Sequence, residues 1–189
     1  VLVVDANGDP ELLPGGAANV VHNIQALGGS ASVVGVVGDD EWGRVLSRQL
    51  SDAGVDVSGI VVDPDRVTTR KTRIWVSHRQ QVVRVDRENR TPVSTSVAEA
   101  LVAHIQEMLS SCDAVVLSDY NKGVLAPMVA GEAVRLAREL GKICTVNPKP
   151  ANVKGFVGAG LVALNHHEAE ALARVDLRTE EALHKAGME

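Results

Sequence analysis

The sequence predicts an α/β fold: a central, mostly parallel sheet flanked by helices, with a small β lid. Three observations carry that prediction. From Thr91 onward, strand-like and helix-like segments alternate with short links, the pattern of parallel strands joined by crossover helices. Within 55–90, two runs alternate polar and apolar residues with a period of two, as antiparallel strands with one exposed face do. Near the start, the pair Gly15-Gly16 stands directly before a run with helical apolar spacing.

Taken in order, Val1–Val4 reads as a short apolar strand and 5–10 as a turn rich in Asp, Asn, Gly and Pro. Pro14-Gly15-Gly16-Ala17-Ala18-Asn19 then opens a helix whose apolar face carries Ala17, Val20, Val21, Ile24 and Leu27, and Gly28-Gly29 stops it. A loop without side chains, aimed along a helix N-terminus, lets backbone approach a ligand. Its free N–H groups favour anionic or oxygen-rich groups, and Asn19 can both donate to and accept from a sugar hydroxyl. A tight turn that packs a helix closely on a sheet accounts for the same residues. Ala31–Val37 is a β-branched run of the buried, parallel type, followed by Gly38-Asp39-Asp40 and a helix over about 40–53. Either aspartate can cap that helix, and Asp39 also fits a ligand contact at a strand end.

Residues 55–90 are expected to supply most of the lid, together with 1–13. The polar face of the first alternating run holds Lys71 and Arg73; that of the second holds Arg84 and Asp86. A solvated face laced with charge pairs and a sheet that brings cations to a substrate phosphate both fit this pattern. Further on, a helix capped by Ser94 or Ser96 carries Val97, Leu101, Val102, Ile105 and Leu109. Strands follow at 113–119, 142–146 and 160–164, with helices starting at Pro127 and at His166 and a last one over 179–189.

In open parallel sheets, ligands bind beyond the carboxyl ends of the strands. Three strands end in polar chemistry there: Ser118-Asp119, Asn147-Pro148-Lys149, and Asn165 with Glu168 one turn on. Lys149 suits a phosphate, and Glu168 suits a metal-bound water. Equally, Asp119 fits a turn, Lys149 a surface position, and Asn165 with Glu168 a helix capping box. His166 and His167 are adjacent, so they point apart on a helix and do not make a metal pair.

The 189 residues suffice for one domain over 1–189, and 45% hydrophobic with 23% charged residues is a globular balance. A net charge of −5 with scattered basic residues argues against nucleic acid as the main partner. No apolar run is long enough to cross a bilayer and no signal-peptide pattern opens the chain. Cys112 and Cys144 lack zinc-ligand spacing and read as reduced thiols, hence a cytoplasmic protein. The chain starts at Val rather than Met and ends in a helix without a cap, so truncation at both ends is expected.

Taken together, these stretches resemble the ribokinase-like (PfkB) carbohydrate kinases, and within them the heptose-7-phosphate kinase branch. The resemblance rests on Pro14–Asn19, on Val36-Val37-Gly38-Asp39-Asp40 with Gly43, on Lys71-Thr72-Arg73, and on Gln80–Glu88. Leu117–Gly123, Pro148-Lys149 and Asn165-x-x-Glu168 extend it over nearly the whole chain. It implies a sugar held against Gly15, Gly16 and Asn19, with Asp119 at the substrate and Lys71 and Arg73 meeting the sugar phosphate. It also implies ATP and Mg2+ over the strand ends, with Lys149, Asn165 and Glu168 serving nucleotide and phosphate and Glu168 reaching the metal through water. The reaction implied is phosphoryl transfer from ATP to a sugar or sugar phosphate, best fitted by D-glycero-D-manno-heptose 7-phosphate at O1. A non-catalytic sugar-phosphate or nucleotide sensor on the same fold is the alternative.

This sequence departs from the family pattern in two places. The Gly-Ala-Gly-Asp motif that carries the catalytic base is absent, so these 189 residues alone are expected to be inactive. Asn147 stands where the heptose branch usually has Asp, and an amide cannot serve as a base. The strand Val1–Val4 lies too close to the glycine pair to be the family's first strand and is expected in the lid instead. A lid with an open edge leaves room for a homodimer.

Overall fold

The computed structural model describes residues 2–5, 11–76 and 80–188. Val1, the 6–10 part of the expected turn, and Glu189 lie outside the described residues. The chain divides into two compact units, Val1–Met108 with Lys122–Val124, and Leu109–Asn121 with Leu125–Glu189.

The first unit contains a parallel pair and a separate four-stranded sheet. The pair is β3 (Ser32–Gly38) with β4 (Asp56–Asp63), joined through α2 (Glu41–Asp52). Their valines and Ile60 are β-branched, which suits strands packed on both faces. α1 (Ala17–Ala26) packs on β3, and α2 packs on both strands. Ala18, Val21, Leu50 and Val55 form the buried centre, with Ala31, Val33, Leu46, Val57 and Ile60 around it. Asp40 is the residue that caps α2: its Oδ1 accepts from the Gly43 N–H at 2.8 Å. Its Oδ2 accepts from the Thr68 N–H at 2.9 Å, and the Thr68 hydroxyl accepts from the Gly38 N–H at 2.9 Å. Burial pushes the Asp40 carboxyl up, but these donors outweigh it and hold it below the usual range. Asp39 instead points to solvent and pairs with Arg44.

The four-stranded sheet runs β2 (Glu11–Leu12), β1 (Leu2–Asp5), β5 (Arg70–Val76), β6 (Gln80–Arg87). β5 and β6 are antiparallel, as the alternation predicts, and β1 joins the same sheet parallel to β5. One expectation changes: residues 56–63 pair with β3 rather than with these strands. Their apolar stretch 59–62 lacks the regular alternation seen after Thr69, and α2 packs against this strand. α3 (Thr95–Leu109) follows, with the Ser94 hydroxyl accepting from the Val97 N–H at its start and Leu101, Ile105 and Leu109 buried.

In the second unit, β7 (Ala114–Ser118), β8 (Ile143–Asn147) and β9 (Leu161–Val162) form a parallel sheet in that order. β9 is shorter than expected. The ladder nevertheless extends past it, since the N–H groups of Gly160 and Ala163 donate to the carbonyls of Cys144 and Val146. α4 (Pro127–Glu139) buries Val129, Ala130, Ala133, Val134, Leu136 and Ala137, spaced on one stripe, against β7, β8 and a 3-10 helix (Pro150–Phe156). Cys144 is buried in β8, and burial pushes its thiol up. α5 (His166–Ala173) and α6 (Glu180–Met188) complete the unit. Among the described residues no helix is long and apolar enough to cross a membrane.

Candidate functional site

Each unit holds some of the residues singled out above. In the first unit, Gly16 is the N-cap of α1 with φ 57° and ψ −132°, a conformation that a residue with a Cβ adopts only under strain. It contributes no side-chain cap to the first turn, so the N–H groups of Ala17 and Ala18 are not taken by one. Asn19 lies in that turn with its side chain exposed, and its N–H donates to the Gly16 carbonyl at 3.1 Å.

On the lid sheet, the two-residue period puts Lys71 and Arg73 on one face of β5, and the register sets Asp86 and Arg84 directly opposite them. Lys71 Nζ lies 2.7 Å from Asp86 Oδ2 and 3.4 Å from Glu88 Oε2. Arg84 Nε donates to Asp86 Oδ1 at 2.9 Å. Glu88 also takes Lys122 Nζ at 2.5 Å and Arg90 Nη2 at 2.7 Å. Lys122 and Arg90 beside it hold the Glu88 carboxyl down at about 2. The charge-pair reading of this face therefore describes Lys71, while Arg73 has no ionic partner among the described residues. Glu88 and Lys122 stand within the Gln80–Glu88 and Leu117–Gly123 stretches, and neither carries a role that the sequence alone assigns. Glu88 is legible as the next residue on the 84–86 face of the period; no local signal brings Lys122 to it.

In the second unit, the polar strand ends do converge. Lys149 Nζ lies 2.5 Å from Glu168 Oε1. Asn165 caps α5 in a capping box: its Oδ1 accepts from the Glu168 N–H at 2.9 Å, and Glu168 Oε2 accepts from the Asn165 N–H at 3.0 Å. Glu168 is buried, and Lys149 foremost, then the Asn165 N–H, hold its carboxyl below the usual range. Asn147 Nδ2 donates to the Ala163 carbonyl at 2.6 Å, tying the end of β8 to the segment after β9. Asp119 is 3% exposed and fully used: Oδ1 accepts from the Asn121 N–H, and Oδ2 from the Lys149 N–H and Asn152 Nδ2. That geometry fits the turn reading of Asp119; Asn152, which joins it, was not anticipated. His166 and His167 both face Glu170, and no group of three metal-ligating side chains occurs among the described residues.

The second cluster can do one kind of chemistry well. A lysine and a buried carboxylate at the carboxyl ends of parallel strands suit a phosphate and a hydrated cation. Magnesium characteristically keeps several waters and takes one or two carboxylates plus substrate phosphates, so Glu168 with Lys149 fits a magnesium–nucleotide pair rather than a protein-caged ion.

The profile of the family described as pfkB family carbohydrate kinase matches residues 3–189. Among curated proteins, the chain is 42% identical over 186 residues to the bifunctional protein HldE of Wolinella succinogenes, covering 98% of this chain and 39% of that protein. It is likewise 42% identical over 187 residues to the bifunctional protein HldE of Geobacter metallireducens, covering 99% and 38%. The chain thus spans about two fifths of the length of these relatives. Among solved structures, the tetrameric inhibited form of phosphofructokinase-2 from Escherichia coli superposes with a TM-score of 0.79 at 20% identity, over 99% of this chain and 64% of that one. Ribokinase of Arabidopsis thaliana, complexed with ribose and ATP, gives 0.71 at 14% identity, over 99% and 64%. At those identities the two structures establish the fold, which is ribokinase-like.

Proposed function

We propose that this chain, which belongs to the pfkB family of carbohydrate kinases, is the sugar-kinase part of its protein and serves ATP-dependent phosphorylation of a sugar phosphate. The substrate we infer is D-glycero-D-manno-heptose 7-phosphate, phosphorylated at O1. The observation that carries the kinase reading is the pairing of Lys149 with Glu168 at the carboxyl ends of parallel strands. The likeness to two proteins named HldE at 42% identity, and the cationic face of the lid, support a phosphorylated sugar.

In this reading Gly15, Gly16 and Asn19 hold sugar hydroxyls through backbone N–H groups and the Asn19 amide. Lys71 and Arg73 hold the sugar's own phosphate. Lys149 holds a nucleotide phosphate, and Asn165 fixes the orientation of Glu168 through the capping box. Glu168 would hold a bound magnesium through a water. Magnesium, bound with ATP, supplies neutralisation of the charge that develops on the transferring phosphoryl group. Phosphoryl transfer asks the protein mainly for such positioning and charge stabilisation.

The test is a coupled ADP-release assay on the full-length protein with magnesium and ATP, against heptose 7-phosphate, fructose 6-phosphate, ribose and no sugar. Turnover with heptose 7-phosphate above the others is expected. Turnover with a different sugar keeps the kinase and replaces the substrate. Tight binding without turnover for any of them supports the sensor and overturns the kinase reading.

A further inference from the structure

Two lysines from distant parts of the sequence share one carboxylate oxygen on the lid face. Glu88 Oε2 lies 3.4 Å from Lys71 Nζ and 2.5 Å from Lys122 Nζ, and both lysines are mostly buried, at 29% and 19% exposed. One carboxylate does not neutralise two ammonium groups, and its other oxygen is taken by Arg90. Counting Arg84 and Asp86, four cations meet two carboxylates here. That surplus matches a phosphate monoester, which carries a charge of about −1.5 to −2 near neutral pH. The register adds a further cation, because Arg73 lies directly across from Arg84. Like charges directly opposite one another disfavour strand pairing, which an anion between them would relieve.

The backbone beside Lys122 is fixed by its own contacts. Arg66, buried, donates from Nη1 to the Lys122 carbonyl at 2.9 Å and the Asn89 carbonyl at 3.4 Å, and from Nη2 to the Thr91 carbonyl at 2.7 Å. Gly123 then turns with φ 75°, its carbonyl accepting from the Val93 N–H at 3.0 Å. A Cβ at Gly123 would lie 1.9 Å from the Thr91 carbonyl oxygen, so only glycine allows this approach. The Lys122 side chain is thereby delivered to Glu88 by a segment clamped on both sides.

We propose that Lys122 is a specificity-determining residue for the phosphate of a sugar-phosphate substrate, acting with Lys71 across Glu88. The proposal rests on the reading above that the substrate carries a phosphate. It differs from that reading in assigning recognition to a residue outside the lid strands.

Calorimetric titration of the full-length protein with heptose 7-phosphate and with the unphosphorylated heptose tests it. The wild type is expected to prefer the phosphorylated sugar. In K122M and in K122Q, affinity for heptose 7-phosphate falls about tenfold or more and affinity for the unphosphorylated sugar stays within about twofold, in line with loss of one charge-assisted contact. K122R, which keeps the charge, recovers most of the preference. Unchanged preference in K122M and K122Q overturns the proposal while leaving the sugar-phosphate reading standing, and so does an equal loss of affinity for both sugars. A wild type that does not distinguish the two sugars overturns both.

Discussion

Asp119 accepts three hydrogen bonds while only 3% exposed, from the backbone N–H groups of Asn121 and Lys149 and from the Asn152 amide. A group so placed holds together the loop after β7 and the turn after β8, and through that turn it sets where Lys149 begins. Asp119→Asn puts an NH2 where an oxygen now accepts, so whichever way the amide turns, a donor faces a donor. The expected cost is about 1–3 kcal/mol. A urea titration reads it as a lowered midpoint with unchanged slope. An unchanged midpoint with lost sugar affinity would return Asp119 to the substrate contacts. The sequence left turn and ligand both open because the deciding partners, Lys149 and Asn152, lie some thirty positions on. The Asn165–Glu168 capping box, whose spacing is local, was one of the two readings open in the sequence, and it is present.

At the scale of elements, the lid hairpin is joined to its surroundings by charge more than by apolar burial: Val82, Val83 and Val85 on β6 are exposed. Glu88 is the hub, and its carboxyl lies at about 2 in the folded chain against 4.5 as an ordinary value. A depressed carboxyl adds stability that is fully present above the ordinary value and is lost as pH falls through the folded one. Acidification from about pH 5 to about pH 2 is therefore expected to weaken the lid. Glu88→Gln is expected to flatten that part of the profile, as read by thermal melts across the range. Equal acid sensitivity in the variant would show that Glu88 contributes nothing to it. The alternation in 69–76 and 81–86 gave away the hairpin, since a period of two needs no tertiary information. The placement of 56–63 was less legible, because an apolar stretch without regular alternation does not name its neighbour, and its partner proved to be β3.

For the molecule as a whole, each unit carries its own buried centre and its own candidate ligand groups: the glycine turn and, separately, the lid face in the first, Lys149 with Glu168 in the second. The proposed function assigns the sugar phosphate to the groups of the first unit and the nucleotide to those of the second. Hydrogen exchange on the full-length protein is expected to register this separately. Heptose 7-phosphate slows exchange in 15–19 and 70–88, and magnesium with ATP slows it in 147–168. Protection of 147–168 by the sugar alone would reverse the assignment. The alternating pattern from Thr91 made the parallel sheet of the second unit readable, whereas the convergence of Lys122 on Glu88 depends on Arg66 and a glycine turn that no periodicity encodes.

Cys144 is the second residue of β8, 4% exposed, with its thiol pushed up by burial. Only the thiolate reacts with alkylating reagents, so in the closed chain this sulfur is shielded both by its neighbours and by its own proton. Each opening of the strand exposes the sulfur and returns its thiol to the ordinary range. The rate at which an alkylating agent marks this one position thus counts how often the second unit comes apart, a stopwatch built into the core without any engineered label.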